Sequence, residues 1–190
     1  PSGLLIFDTG ASFEELAVQH GHYPEGRSEN KGAEPEAVEF GQFDGRGYIF
    51  VASERGSFVA VYQLDPWGPP RFLQVLPGPL GPEGVLALPD RNLLVVSGEE
   101  DDPPFGVRAS IMLYELRDAA PAYPHIRSVE VDGKPLPWSA LSGMDAAPDG
   151  DLLAVWDSFF AESRILRIDP SQEPALITDT LAIQGGSGNF

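Results

Sequence analysis

Hydrophobic positions along the chain fall in short runs broken by Gly, Asp and Asn turns, and the same arrangement of runs is written three times. In the first copy Glu34-Pro35-Glu36-Ala37-Val38 opens an apolar strand, Asp44-Gly45-Arg46-Gly47 makes a turn, and a second strand over 48–53 stops at Glu54. Strands over 57–64 and 71–76 complete that unit. The second copy opens at Gly81-Pro82-Glu83-Gly84-Val85, turns at Asp90-Arg91-Asn92 and runs over 93–97 to reach Glu99. Its third and fourth strands are expected over 110–116 and about 125–131. The third copy opens at Leu141-Ser142-Gly143-Met144, turns at Asp149-Gly150-Asp151, runs over 152–156 to Asp157, and ends with strands over 164–168 and 175–183.

Units of about 45 to 60 residues, each with four short strands, are the mark of propeller blades. The expected fold is all-β: a β-propeller with about three four-stranded blades plus part of a fourth, an incomplete ring. Residues 1–33 are assigned the outer strands of a preceding blade, over 3–7 and 13–19, and a polar loop over 20–33. The segment 13–19 reads equally as a short helix. Residues 34–80, 81–140 and 141–184 are the blades, and 185–190 a flexible end rich in Gly. Because a blade buries its faces only on its neighbours, the remainder of the propeller, from the same chain or another, is an expected partner. The chain opens at Pro1 without an initiator Met, which suggests a segment of something longer.

Composition narrows the chemistry. Nineteen prolines and twenty-one glycines suit many short elements. Twelve basic against twenty-nine acidic residues give a formal charge of −17, so the field repels nucleic acid and anionic membranes. Without cysteine, disulfides and thiolate-ligated zinc or iron–sulfur sites are excluded. No apolar run is long enough for a membrane span.

Antiparallel pairing sets the start of each innermost strand beside the end of the next. That places Glu36 with Glu54, Glu83 with Glu99, and Ser142 with Asp157 at one rim. Two readings stand. The carboxylates cap strand ends and bind turn amides, or Glu36, Glu54, Glu83, Glu99 and Asp157 hold a cation, with calcium the candidate because it takes six to eight oxygen ligands. Other polar groups read as bland first: His20 and His22 as solvated loop residues, with metal binding the alternative, Glu99-Glu100-Asp101-Asp102 as a solvated run that could add ligands, and Ser142 as structural rather than a nucleophile. Arg27, Lys31, Arg55 and Arg108 balance the carboxylates or contact a phosphate. Trp67, Phe105, Tyr123, Trp138 and Phe159 form a loop surface or pack between blades. No G-x-S-x-G elbow, phosphate-binding glycine loop, H-E-x-x-H helix or EF-hand loop is present.

Arg27-Ser28-Glu29-Asn30-Lys31-Gly32 with Glu34-Pro35-Glu36, the run from Tyr48 to Gly56, and Gly81-Pro82-Glu83-Gly84 resemble the bacterial choice-of-anchor, alkaline-phosphatase-like propellers. Leu141-Ser142-Gly143-Met144 with Trp156-Asp157-Ser158-Phe159 and Arg164-Ile165 resembles the domain called esterase-like activity of phytase. The resemblance implies an exported protein, periplasmic, secreted or on the cell surface, and a calcium-dependent phosphoester hydrolase with a phosphoester substrate. The alternative is a non-catalytic propeller that binds a protein, glycan or surface polymer. In the first copy Ala37 stands where the motif has Gly, so that position does not require φ > 0.

Overall fold

The computed structural model describes residues 3–5, 7–156 and 162–183. In chain order the elements are α1 (Ser12–Gln19), β1 (Pro35–Phe43), β2 (Arg46–Ser53), β3 (Phe58–Gln63), β4 (Arg71–Pro77), β5 (Pro82–Leu88), β6 (Leu93–Gly98), β7 (Ser110–Glu115), β8 (Ile126–Ser128), β9 (Glu130–Val131), β10 (Lys134–Pro135), β11 (Leu141–Ala146), β12 (Leu152–Trp156), β13 (Arg164–Asp169) and β14 (Ala175–Ala182). The protein is all-β apart from α1 and short 3₁₀ turns. Its strands form a sheet β1-β2-β3-β4, a sheet β5-β6-β7, a sheet β11-β12-β13-β14-β8 and the small β9–β10 hairpin.

The three copies share more than strand order. In β1 the pairing jumps from Pro35↔Ser53 to Ala37↔Ala52, leaving Glu36 as a bulge. The second copy repeats the jump at Glu83, between Pro82↔Gly98 and Gly84↔Ser97. The third repeats it at Ser142, between Leu141↔Trp156 and Gly143↔Val155. Two residues before each bulge the backbone turns left-handed, at Glu34 (φ 53°), Gly81 (φ 59°) and Ala140 (φ 40°). In the first two copies the carbonyl of that residue accepts the N–H of the residue just past the second strand, Glu54 and Glu99, each at 2.9 Å. A bulge re-aims its side chain and ends regular pairing, so one local device turns the rim residue outward in every copy.

Within the first sheet, β3 is buried on both faces. Val59 and Val61 of β3 join Phe43, Tyr48, Phe50 and Ala52 against Leu94 and Val96 of the second sheet. The alternate residues Phe58, Ala60 and Tyr62 join Val75 against Phe13 and Ala17 of α1. Phe58 is 1% exposed and lies 5.2 Å, ring to ring, from Phe13; truncating it to Ala costs about 3–5 kcal/mol. The third sheet has its own core of Ala154, Trp156, Leu166, Ile168 and Ile177, closed by Trp138. Trp138 donates its indole N–H to the Gln19 carbonyl at 2.9 Å, tying that core to the end of α1.

Four expectations are corrected. Residues 3–5 and 7 carry no strand, and Ser12–Gln19 is a helix, the second of the two readings given for 13–19, so 1–33 does not supply two strands of a preceding blade. Phe13 and Ala17 are one helical turn apart and face one way, which buries them together. The second sheet has three strands, because β8 leaves it to pair parallel with β14 through Ala175↔Ile126 and Ile177↔Ser128. The third sheet therefore has five. The stretch expected as a single strand over 125–131 is divided into β8 and β9.

Candidate functional site

The rim between the first two sheets gathers five carboxylates. Glu54 leaves the end of β2, Glu36 and Glu83 project from the bulges of β1 and β5, Glu99 follows β6, and Glu34 occupies the left-handed position before β1. They form two overlapping triads, Glu34–Glu36–Glu54 and Glu54–Glu83–Glu99, and within each a carboxylate oxygen from every member lies within 4.8 Å of the others. Glu34 and Glu54 are buried, whereas Glu36, Glu83 and Glu99 are exposed. The structure thus brings together four of the residues singled out from the sequence. The fifth, Asp157, lies outside the described residues, as does Phe159.

The counter-charges are unevenly shared. Glu34 accepts Lys31 Nζ, Arg27 at 3.1 Å and Arg55 Nε at 3.2 Å. These contacts, with Lys31 the strongest, hold its carboxyl below the usual range despite burial. Arg55 also reaches Glu54 at 2.6 Å and Glu100 at 3.8 Å. Burial pushes the Glu54 carboxyl up; Arg55 opposes this, and the neighbouring charges of Glu34, Glu99 and Glu36 add to it. Among the described residues Glu83 and Glu99 form no ion pair. Four carboxylates with one shared guanidinium, Arg55, are short of positive charge.

Glu34 has no forerunner in the sequence reading. A glutamate at φ 53° is unusual for a residue with a Cβ, and three cations from two separate segments converge on it only after folding. The one available signal was the row Arg27, Lys31 and Glu34 itself. Arg27, Lys31 and Arg55 do balance carboxylates, and Arg108 pairs with Asp101 at 2.7 Å. A shallow cleft of about 240 Å³ adjoins the site, lined by Glu54, Arg55, Gly81, Glu100, Asp102 and Phe105. Ser142 is exposed on its bulge, in a sheet that among the described residues contributes to neither triad.

The two histidines are not solvated, which corrects the sequence reading. His20 is 8% exposed and its Nδ1–H donates to the Leu16 carbonyl at 2.8 Å. His22 donates from Nδ1 to the Gly56 carbonyl at 2.6 Å and accepts the Tyr123 hydroxyl at Nε2. Burial lowers both pKa values. The loop behaves this way because Gly21 (φ 70°) lets the chain pass against Trp138, whose ring would stand 2.8 Å from a Cβ there. Of the aromatic residues considered as a loop surface, Trp67 and Phe105 are exposed while Trp138 is packed inside.

Three converging carboxylates whose one cation, Arg55, is shared with Glu34 suit a hard divalent ion. Glu54, Glu83 and Glu99 can present up to six oxygens, within the coordination calcium accepts. Glu34 is already committed to three cations and is not needed. Among the described residues no helix is long and apolar enough to cross a membrane. No curated protein and no solved structure matches the chain. Residues 2–66, about a third of the chain, match the Choice-of-anchor I domain, so α1, the first sheet through β3, and Glu34, Glu36 and Glu54 lie in a segment similar to that family.

Proposed function

We propose that this chain is part of an exported β-propeller that binds calcium at the rim between its first two blades, through Glu54, Glu83 and Glu99. The observation that carries the reading is the convergence of those carboxylates from two different sheets, with Glu54 buried and its one cation, Arg55, shared with Glu34 and Glu100. Bound calcium would neutralise the repulsion and join the two sheets at the point where both strand ends stop. The match to the Choice-of-anchor I domain supports an extracellular or cell-surface location.

The packing of the first two sheets supports the propeller. Glu39 of β1 accepts the Ala87 N–H at 3.1 Å, so the face of the first sheet carrying Ala37 and Glu39 meets the face of the second carrying Val85 and Ala87. Aligned on the bulges, Val85 and Ala87 correspond to Val38 and Phe40, which lie on the other face of the first sheet. The contact is therefore front to back, the heterologous stacking that builds rings. The free front of the second sheet carries Leu86, Ile111 and Leu113, 52%, 68% and 66% exposed, as a blade awaiting a neighbour would.

Phosphoester hydrolysis is the second reading. Its support is the resemblance of the third repeat to phytase-like esterases and the cleft beside Glu54, where a calcium ion would supply the positive charge a phosphate needs. Calorimetric titration with calcium chloride tests the first reading: saturable binding in the wild type, lost in Glu54→Gln, is expected, and no binding heat in the wild type sinks it. Phytate and p-nitrophenyl phosphate turnover, with and without calcium, tests the second. Calcium binding without turnover leaves a non-catalytic propeller.

A further inference from the structure

Beyond the calcium rim, a second cleft of about 690 Å³ opens where the end of α1, the edge strand β4 and the start of β8 meet. Its floor is Phe72, Leu73 and Val75 of β4, and Pro121, Ala122, Tyr123 and Pro124 form an apolar wall. Polar groups converge on one side: His20 from the end of α1, and His125 and Arg127 from β8 and the residue before it. Arg127 is half-buried, and among the described residues it forms no ion pair. In a chain of charge −17, where Arg27, Lys31, Arg55, Arg108, Arg117, Arg164 and Arg167 all have carboxylate partners, that is out of keeping. The other cations lacking such a partner, Arg46, Arg71, Arg91 and Lys134, are exposed, and water satisfies them.

We infer that this cleft binds a small carboxylate ligand with an apolar body, its carboxylate on Arg127 beside His20 and its body against Phe72, Leu73 and Tyr123. A guanidinium recognises a carboxylate with paired N–H donors, and a mostly apolar pocket with a few convergent polar groups is the usual form of a small-ligand site. His20 refines the recognition. Its Nδ1–H is committed to Leu16, so Nε2 is the nitrogen left for a ligand. Neutral, that atom accepts a hydrogen bond; protonated, it donates one to the carboxylate.

The charged and titratable groups around His20 are His22 on its own segment, Arg127 and His125 from β8 and its approach, Tyr123 from the wall, and Glu173 from the turn before β14; β4 contributes none. Burial, His22 and Arg127 all disfavour a proton on His20 in the empty cleft. A bound carboxylate opposes that repulsion and burial, so binding takes up a proton and tightens as the pH falls from 7.5 towards 6. Glu173 stands exposed at the mouth and opposes the ligand.

Sodium benzoate is the probe, followed by NMR shift titration of the whole chain at pH 6.0 and 7.5, with inorganic phosphate as comparison. Saturable benzoate binding is expected, tighter at the lower pH, weakened about tenfold or more in Arg127→Met, which keeps an apolar stem. Glu173→Gln, at an exposed position where folding is not at stake, should tighten binding at low salt. Absence of saturable benzoate shifts, or equal affinity in both variants and the wild type, overturns the proposal. Phosphate binding in place of benzoate overturns the ligand class. None of these outcomes depends on calcium, so the two sites fail or stand separately.

Discussion

The two carboxylate triads at the rim share Glu54 and each draw their oxygens within 4.8 Å of one another, yet they solve their repulsion differently. Glu34–Glu36–Glu54 is neutralised from within by Lys31, Arg27 and Arg55, whereas Glu54–Glu83–Glu99 has the shared Arg55 alone. Proximity of carboxylates therefore does not by itself make a metal site; the deciding quantity is the positive charge already in place. The first triad behaves as a structural ion cluster that fixes the loop over 20–33 to the first sheet. The second has only the shared Arg55 to offset its three carboxylates, which is why the proposed ion is assigned to it.

The contrast can be broken most forcefully at Glu34. Glu34→Gln removes the buried carboxylate on which Arg27, Lys31 and Arg55 converge and leaves a buried amide beside cations that are a third or more exposed, Arg55 still paired with Glu54. The charge-assisted hydrogen bonds tying the loop to the sheet are thereby lost. Thermal unfolding should show the largest drop in Tm of the rim substitutions, while calcium affinity changes little. If calcium binding disappears and Tm does not move, the roles of the triads are reversed.

Glu54→Gln should do the opposite. Calcium affinity is expected to fall tenfold or more, with smaller losses for the exposed Glu83→Gln and Glu99→Gln, and calcium at about 100 times its Kd should stabilise the wild type by about 2.7 kcal/mol but not Glu54→Gln. Titration calorimetry and unfolding with and without the ion read both effects.

The pH profile separates the triads again. Glu34 has a lowered folded pKa, so its contribution is present above the ordinary value near 4.5 and is lost as the pH falls through the folded value. Glu54 has a raised one: the folded state binds the proton more tightly, and stability declines as the pH rises from 4.5 through the raised value. If calcium binds as proposed, adding it should remove that decline. His20 and His22, lowered by burial, subtract stability as the pH falls from about 6.5 towards their folded values. Denaturant midpoints from pH 4 to 7.5, compared between wild type and Glu54→Gln, should show the Glu54 component vanish in the variant.

The smallest effects come from the left-handed residue of each repeat. Gly81 occupies it without strain, and Gly81→Ala should cost about 1 kcal/mol, with the added Cβ also 3.0 Å from Glu100 Cγ. Ala140→Gly relieves the same strain in the third copy and should be neutral or stabilising by a few tenths of a kcal/mol, since freer glycine also favours the unfolded chain. Opposite signs in denaturant unfolding would confirm that the repeats are conformationally equivalent.

The repeat, the strand positions and the meeting of Glu36 with Glu54 and Glu83 with Glu99 were legible in the chain, because alternation, turn residues and antiparallel pairing are local or follow from one neighbouring strand. The bulges that aim Glu36 and Glu83 were not: they appear only in the register of the paired strands. Nor was the fate of the histidines, since His20 and His22 look like loop residues until Trp138 and Tyr123, more than a hundred positions away, close over them.

By itself, then, the sequence determined an all-β chain of three copies with acidic strand ends, through patterns that repeat every second residue and turn chemistry that acts over four. Tertiary structure decided which carboxylates keep their charge balanced, that α1 rather than two strands covers the first sheet, and that β8 joins the third sheet rather than the second. Those outcomes rest on burial and on charges brought together from distant segments, and such energies exist only once the chain has folded.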